Sequence, residues 1–269
     1  MCSSRDGAVS LTSPRGGWRY HAGMTLAPVL SHSRVFARAS TNRLTPHDRD
    51  RFAGPSLFDA LGRAVCEAGC LPRKELFEAW EMARRVRRRF RGGRVVDLAG
   101  GHGLLAQVLL LLDDSSPSAF VVDTAVPPSA AVLHAALVAG WPRLQDRVRF
   151  VTGDLDAVPL LAGDLVVSCH ACGELTDRVL ALAARARAAV AVLPCCHDTR
   201  ASAESPVRGW MDAALAIDVG RAHWLAAQRY QVRTQSVPPD ITPKYRLLLG
   251  APLDSASADV PEVASCAAG

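Results

Sequence analysis

At 269 residues the chain can bury one sizeable α/β core or two small ones. Hydrophobic residues make up 49% and charged ones 21%, an ordinary globular balance, and the richest apolar stretch, Leu104 to Leu112, is too short to span a bilayer. The eight cysteines are too sparse for the disulfide scaffold of a small secreted domain, so the thiols read as reduced and the protein as intracellular; the net charge of +5 permits a polyanionic partner without demanding one.

Residues 1–47 differ from the rest. Arg5, Arg15, Arg19, Arg34, Arg38 and Arg43 lie among serines, and Asp6 is the only acid before Asp48. Such a leader is expected either to be a disordered extension, with Met24 as a second start, or to send an otherwise cytoplasmic chain to mitochondria or plastids. Residues 254–269 are small and polar and are expected to be a disordered tail. Residues 48–253 are expected to form one domain, with 48–92 as its helical first part.

Within that domain, Phe58, Leu61 and Val65 recur at helical spacing, and a second helix is expected from Arg73 to Phe90. Strands are expected at Arg94–Leu98, Ala119–Asp123, Val148–Val151, Asp164–Ser168 and Ala189–Leu193. Helical stretches between them run through Leu112, from Ser129 to Ala139 and from Leu175 to Ala188. Strands alternating with helices imply a parallel sheet, and near-continuous apolar strands imply that both faces are covered. After a helix reaching Tyr230, two more strands, Gln231–Val237 and Tyr245–Leu249, follow with no helix between them, which suggests an antiparallel hairpin.

The first of these strands runs into Val95-Val96-Asp97-Leu98-Ala99-Gly100-Gly101-His102-Gly103. A strand that ends in an acid, turns on glycines and enters a helix lets backbone approach a ligand closely. Gly101-x-Gly103-x-x-Ala106 also satisfies a dinucleotide fingerprint. Asp123 closes the second strand, where an acid can accept from ribose hydroxyls, and both readings want it. Asp97 and Asp154, together with the terminal hairpin, separate them. This set resembles the first motif and flanking acids of Rossmann-like methyltransferases. The resemblance implies a mostly parallel seven-stranded α/β sheet with a C-terminal antiparallel hairpin and helices on both faces, and S-adenosylmethionine as cofactor. It implies that the glycine loop holds the methionine part of the cofactor, Asp97 its ammonium and an acid near Asp154 its adenine. Ala99 stands where the family usually carries glycine. The expected cofactor contacts are Asp97, Ala99, Gly101, Gly103, Asp123 and Asp154. An NAD(P)-dependent oxidoreductase and a non-catalytic cofactor-binding scaffold are the alternatives.

Two further motifs follow the fourth and fifth strands: Ser168-Cys169-His170-Ala171-Cys172-Gly173-Glu174 and Pro194-Cys195-Cys196-His197-Asp198. In a doubly wound sheet the ligand crevice lies at the carboxyl ends of the strands, so both motifs should reach it. Together they resemble the methyltransferase domain shared by acceptor-stem tRNA 2′-O-methyltransferases and several methyltransferase-like proteins, over roughly Lys74 to Pro252. The motifs do not specify a substrate; the resemblance and the basic balance of the chain together point to RNA, with methylation of a protein or small molecule as the alternative.

Three roles compete for the motif side chains. His170 or His197 can act as a general base. The cysteines can bind zinc, although Cys195 and Cys196 would point apart on an extended chain. Or the thiols are small groups lining the crevice. His170, His197, Cys172 and Cys195 are expected near the transferable methyl, in a metal-free site. The run Arg84-Arg85-Val86-Arg87-Arg88-Arg89-Phe90-Arg91 suits either phosphate binding or the C-terminal end of a helix dipole, with Glu75, Glu78 and Glu81 toward the opposite end.

Overall fold

The computed structural model describes residues 36–198, 207 and 209–253; the leader up to residue 35 and the tail from residue 254 lie outside the described residues. Two helices come first, α1 (Leu57–Ala68) and α2 (Arg73–Arg89). Five strands then build a parallel sheet, β1 (Val95–Leu98), β2 (Ala119–Asp123), β3 (Val148–Thr152), β4 (Leu165–Ser168) and β5 (Ala189–Val192), with α3 (Leu104–Leu112), α4 (Ser129–Gly140) and α5 (Glu174–Ala186) as helical crossovers and β3 passing to β4 without a helix. After α6 (Ala213–Ala227), β6 (Tyr230–Ser236) and β7 (Arg246–Pro252) form the expected hairpin. The sheet order is β3-β2-β1-β4-β5-β7-β6, with β7 antiparallel to both neighbours and wedged between β5 and β6.

Strand periodicity divides the core. Val96, Leu98, Val122, Val166, Val190 and Val192 face α5 and α6 and pack on Val179, Leu180, Ala183 and Leu225. The alternate positions, Asp97 and Val121 among them, face the side of α3, against which α2 packs. Tyr230 anchors the α5 side, its hydroxyl donating to the carbonyls of Ala183 and Ala188.

The packed body reaches back beyond residue 48, to Ala37. Leu44 is fully buried, and backbone bonds tie Leu44 to Leu71 and Arg73 to Asn42. A 3-10 turn at Pro46–Phe52, capped reciprocally by Thr45 and Asp48, plugs Phe52 against Gly62 of α1. An arginine-rich count over residues 1–47 could not separate Arg38 and Arg43, which belong to this body, from the leader.

Candidate active site

The strand ends place the glycine loop, the Cys169–Cys172 loop and the Cys195–Cys196 loop along one edge of the sheet. The glycine loop is a chain of positive φ angles, 55° at Ala99, 51° at Gly101 and 69° at Gly103. Gly103 needs its lack of a side chain, because a Cβ there would lie 2.7 Å from Val121 Cγ2 and 2.9 Å from Phe150 Cε1. At Gly101 a Cβ would meet nothing within 4 Å, so that bare backbone faces open space. Ala99 holds its left-handed conformation despite a side chain, a strain glycine would not carry.

Asp123 ties this loop down: Gly101 N–H donates to one carboxylate oxygen at 3.0 Å and Ala125 N–H to the other at 3.1 Å. His102 bridges from the loop to Ser129 at 2.9 Å.

Asp97 lies beneath the loop, 1% exposed, with neither carboxylate oxygen in hydrogen-bond geometry with any group. Burial pushes its pKa up to about 7, the nearby backbone N–H of Ala106 pulls it down, and the charge of Asp123 adds to the rise. An unpaired buried carboxyl is expensive unless a ligand completes it. It lines a narrow cleft with Ala99, Gly100, Cys169 and His170, and with Glu75 and Ala79 of α2.

The contribution of α2 does not stand out in the sequence, where its acids suit the helix dipole equally well, yet Glu78 is 2% exposed. Lys74 holds one of its oxygens at 2.9 Å, while Oε2 has no hydrogen-bond partner and faces His170 Nε2 at 3.7 Å. Burial lowers the pKa of His170 and the Glu78 charge raises it, so the ring is a neutral base beside a group that favours its protonation. Ser168 Oγ, buried where β4 ends, is likewise unpartnered. The signal available in the sequence was Lys74-x-x-x-Glu78, an i,i+4 pair on the face of α2 that packs inward.

The residues expected around one methyl group divide among three places. His170 lines the cleft beside Glu78. Cys172 and Cys195 stand with Sγ atoms 2.8 Å apart, and Cys196 Sγ is 3.8 Å from Cys195. His197 is buried, its Nε2 at 2.7 Å from Asp218 of α6, a carboxylate that also receives Arg246 at 2.7 Å. Arg221 extends that network to Asp177 and to the Gly173 carbonyl. Cys169 is walled in by burial and the charges of Glu78 and Asp97, which hold its pKa well up and keep it a protonated, inert thiol. Asp154 is exposed and paired with Arg178 at 2.7 Å, outside the residues that line the cleft.

Residues 75–202 match the family model described as a methyltransferase domain. Residues 75–202 are thus similar to a methyltransferase domain, and the sheet that carries them has the seven-stranded order described above. No curated protein matches the chain. Among solved structures, the pyocyanin biosynthetic protein PhzM is 21% identical over 72% of this chain, at a TM-score of 0.45, and the match spans 58% of that protein's length. The B. subtilis tRNA methyltransferase TrmK is 15% identical over 64% of this chain and 66% of its own, at 0.44. Human N-acetylserotonin methyltransferase is 13% identical over 73% of this chain and 56% of its own, at 0.41.

The residues present fit S-adenosylmethionine, the cofactor that the likeness to methyltransferases implies. An orphaned buried carboxyl, Asp97, suits an ammonium, and open space at Gly101 admits a ligand against bare backbone. Among the described residues no helix is long and apolar enough to cross a membrane.

Proposed function

We propose that this chain transfers the methyl group of S-adenosylmethionine to RNA, with tRNA as the class that the basic balance and the likeness of the motifs after β4 and β5 support together. The observation that carries the reading is Asp97, a buried carboxyl without a partner beside an open glycine turn. When bound, the cofactor supplies an electrophilic methyl on a sulfonium sulfur. Asp97 holds the ammonium, and the backbone of Ala99, Gly101 and Gly103 lies against the methionine part. Asp123 positions the loop and keeps lone pairs for the ribose hydroxyls, and Asp154 is the polar group nearest in role to an adenine contact. His170 takes the proton from the accepting atom, with Glu78 favouring the charged ring that results. Exposed Arg84, Arg88 and Arg91, with the net charge of +5, support a phosphate-bearing acceptor.

A small-molecule acceptor is the second reading. A cavity of about 350 Å³, lined by Pro194, Leu215, Tyr245, Leu247 and Leu248, opens where β5 ends and β7 begins, and it has the size and apolar walls of a ligand pocket. The test is transfer of a labelled methyl from the cofactor to total RNA, total protein and a metabolite extract. Label in RNA supports the first reading, label only in the extract the second, and label in protein alone removes both.

A further inference from the structure

We propose that Cys172, Cys195 and Cys196 form a binding site for a soft divalent metal ion, zinc by its chemistry, with three thiolate ligands and one coordination position left open. A metal-free crevice is expected where free thiols are small inert wall groups and where Cys195 and Cys196 point apart on an extended chain. They do not, because the chain has left β5 after Val192 and is no longer extended in the sheet. Their Sγ atoms are 3.8 Å apart, Cys172 Sγ is 2.8 Å from Cys195, and all three lie within 4.8 Å of one another.

Thiolates on a tetrahedral ion with bonds of about 2.3 Å stand roughly 3.8 Å apart. The Cys195–Cys196 pair already has that spacing, and Cys172 needs to open by about 1 Å, within the reach of a side-chain rotation. Free cysteines are normally buried, whereas Cys172 and Cys196 are exposed and Cys195 half-buried. Packing therefore does not explain their position, and the soft donor set selects zinc over calcium or magnesium.

The two loops that carry the thiols are braced, as a metal site requires. Gly173, next to Cys172, turns at φ 56° and its N–H donates to the Cys196 carbonyl at 3.1 Å. Arg221 holds the Gly173 carbonyl at 2.9 Å and reaches Asp218 at 3.3 Å, and Asp218 holds His197 at 2.7 Å. One ionic network thus fixes both ends of the cluster. Binding breaks three S–H bonds, forms three metal–sulfur bonds and releases three protons to solvent. Water completes the tetrahedron, and no electrons change hands.

The reading does not depend on methyl transfer, and the test needs no substrate. The full chain, kept reduced, is loaded with zinc, desalted and analysed for metal, and is separately titrated with cobalt(II). About one equivalent of zinc per chain and a thiolate-to-cobalt charge-transfer band are expected. Both should be lost in Cys172→Ser and Cys195→Ser and kept in Cys66→Ser. Absence of the charge-transfer band in the wild-type chain overturns the site without recourse to any variant. Equal zinc in a Cys172→Ser/Cys195→Ser/Cys196→Ser chain, or a Cys172–Cys195 disulfide that persists under reductant, overturns it as well.

Discussion

Asp97 is where protonation, stability and ligand binding meet. In the unfolded chain it ionises near pH 4; in the fold, burial raises its pKa to about 7. The neutral acid is thus the form the fold prefers. Its stabilising contribution is complete below pH 4 and lost as pH rises through 7, by an amount on the order of 4 kcal/mol. Asp97→Asn cannot ionise, so in urea denaturation of the cofactor-free protein its stability relative to wild type should rise from pH 4 to pH 8. A cationic ammonium reverses the preference by favouring the carboxylate. Cofactor affinity of the wild type should fall by up to about tenfold per pH unit below about pH 7, with proton release on binding, and the variant should show neither effect. Calorimetric titration across that range checks this, and equal affinities for the two proteins at pH 8 would remove Asp97 from the contact. Asp97 was legible in the sequence because its place before a glycine turn is fixed by strand and loop geometry. His197 was not, since its partner Asp218 lies 21 residues away on a helix, and no local pattern says which loop histidine faces ligand and which faces a carboxylate.

At the scale of elements, the glycine loop separates folding from binding. Gly101 and Gly103 both take positive φ, but a Cβ at Gly103 collides with Val121 and Phe150, while one at Gly101 meets open space. Gly101→Ala should cost only about 1 kcal/mol of stability, the strain of a left-handed alanine, while weakening cofactor binding at least tenfold. Gly103→Ala adds overpacking and should cost roughly 2–4 kcal/mol. Thermal unfolding alongside cofactor titration checks the pair, and a stable Gly103→Ala or a Gly101→Ala with unchanged affinity contradicts it. The strands and this loop were readable because period-two burial and glycine chemistry are local. The role of α2 was not. Its register over the cleft, with Glu75 and Glu78 turned inward, is set by packing on α3, and acids in the first turns of a helix look the same when they merely face solvent.

At the scale of the molecule, the arginine run sorts by what it touches. Arg87 is buried, donating to the Leu109 carbonyl and Ser116 and paired with Asp113 at 3.1 Å, and Asp113 is held down to a pKa of about 2 by its neighbours. Arg85 is spent on Glu81 and the Ser236 carbonyl, and Arg89 on Gln231. Apart from Glu81 on α2 itself, which also pairs with Arg84 at 3.4 Å, these partners lie around the end of α3 and along β6, and α2 carries Arg88 about 20 Å along its axis from Glu75. An RNA whose reacting nucleotide sits at His170 must therefore run down α2 to reach the exposed guanidinium groups of Arg84 and Arg88, one helical turn apart. For an RNA substrate, Arg84→Glu/Arg88→Glu should raise KM about tenfold or more, leave kcat unchanged and reduce the salt slope of binding by about 2. Arg87→Met, by contrast, should strand Asp113 and cost about 3–5 kcal/mol of stability. Methyl-transfer kinetics at several salt concentrations, paired with denaturation curves, distinguish the two effects. An RNA KM indifferent to the double reversal would mean that the acceptor does not follow α2, and Arg84 and Arg88 would then serve only the cationic end of a helix dipole.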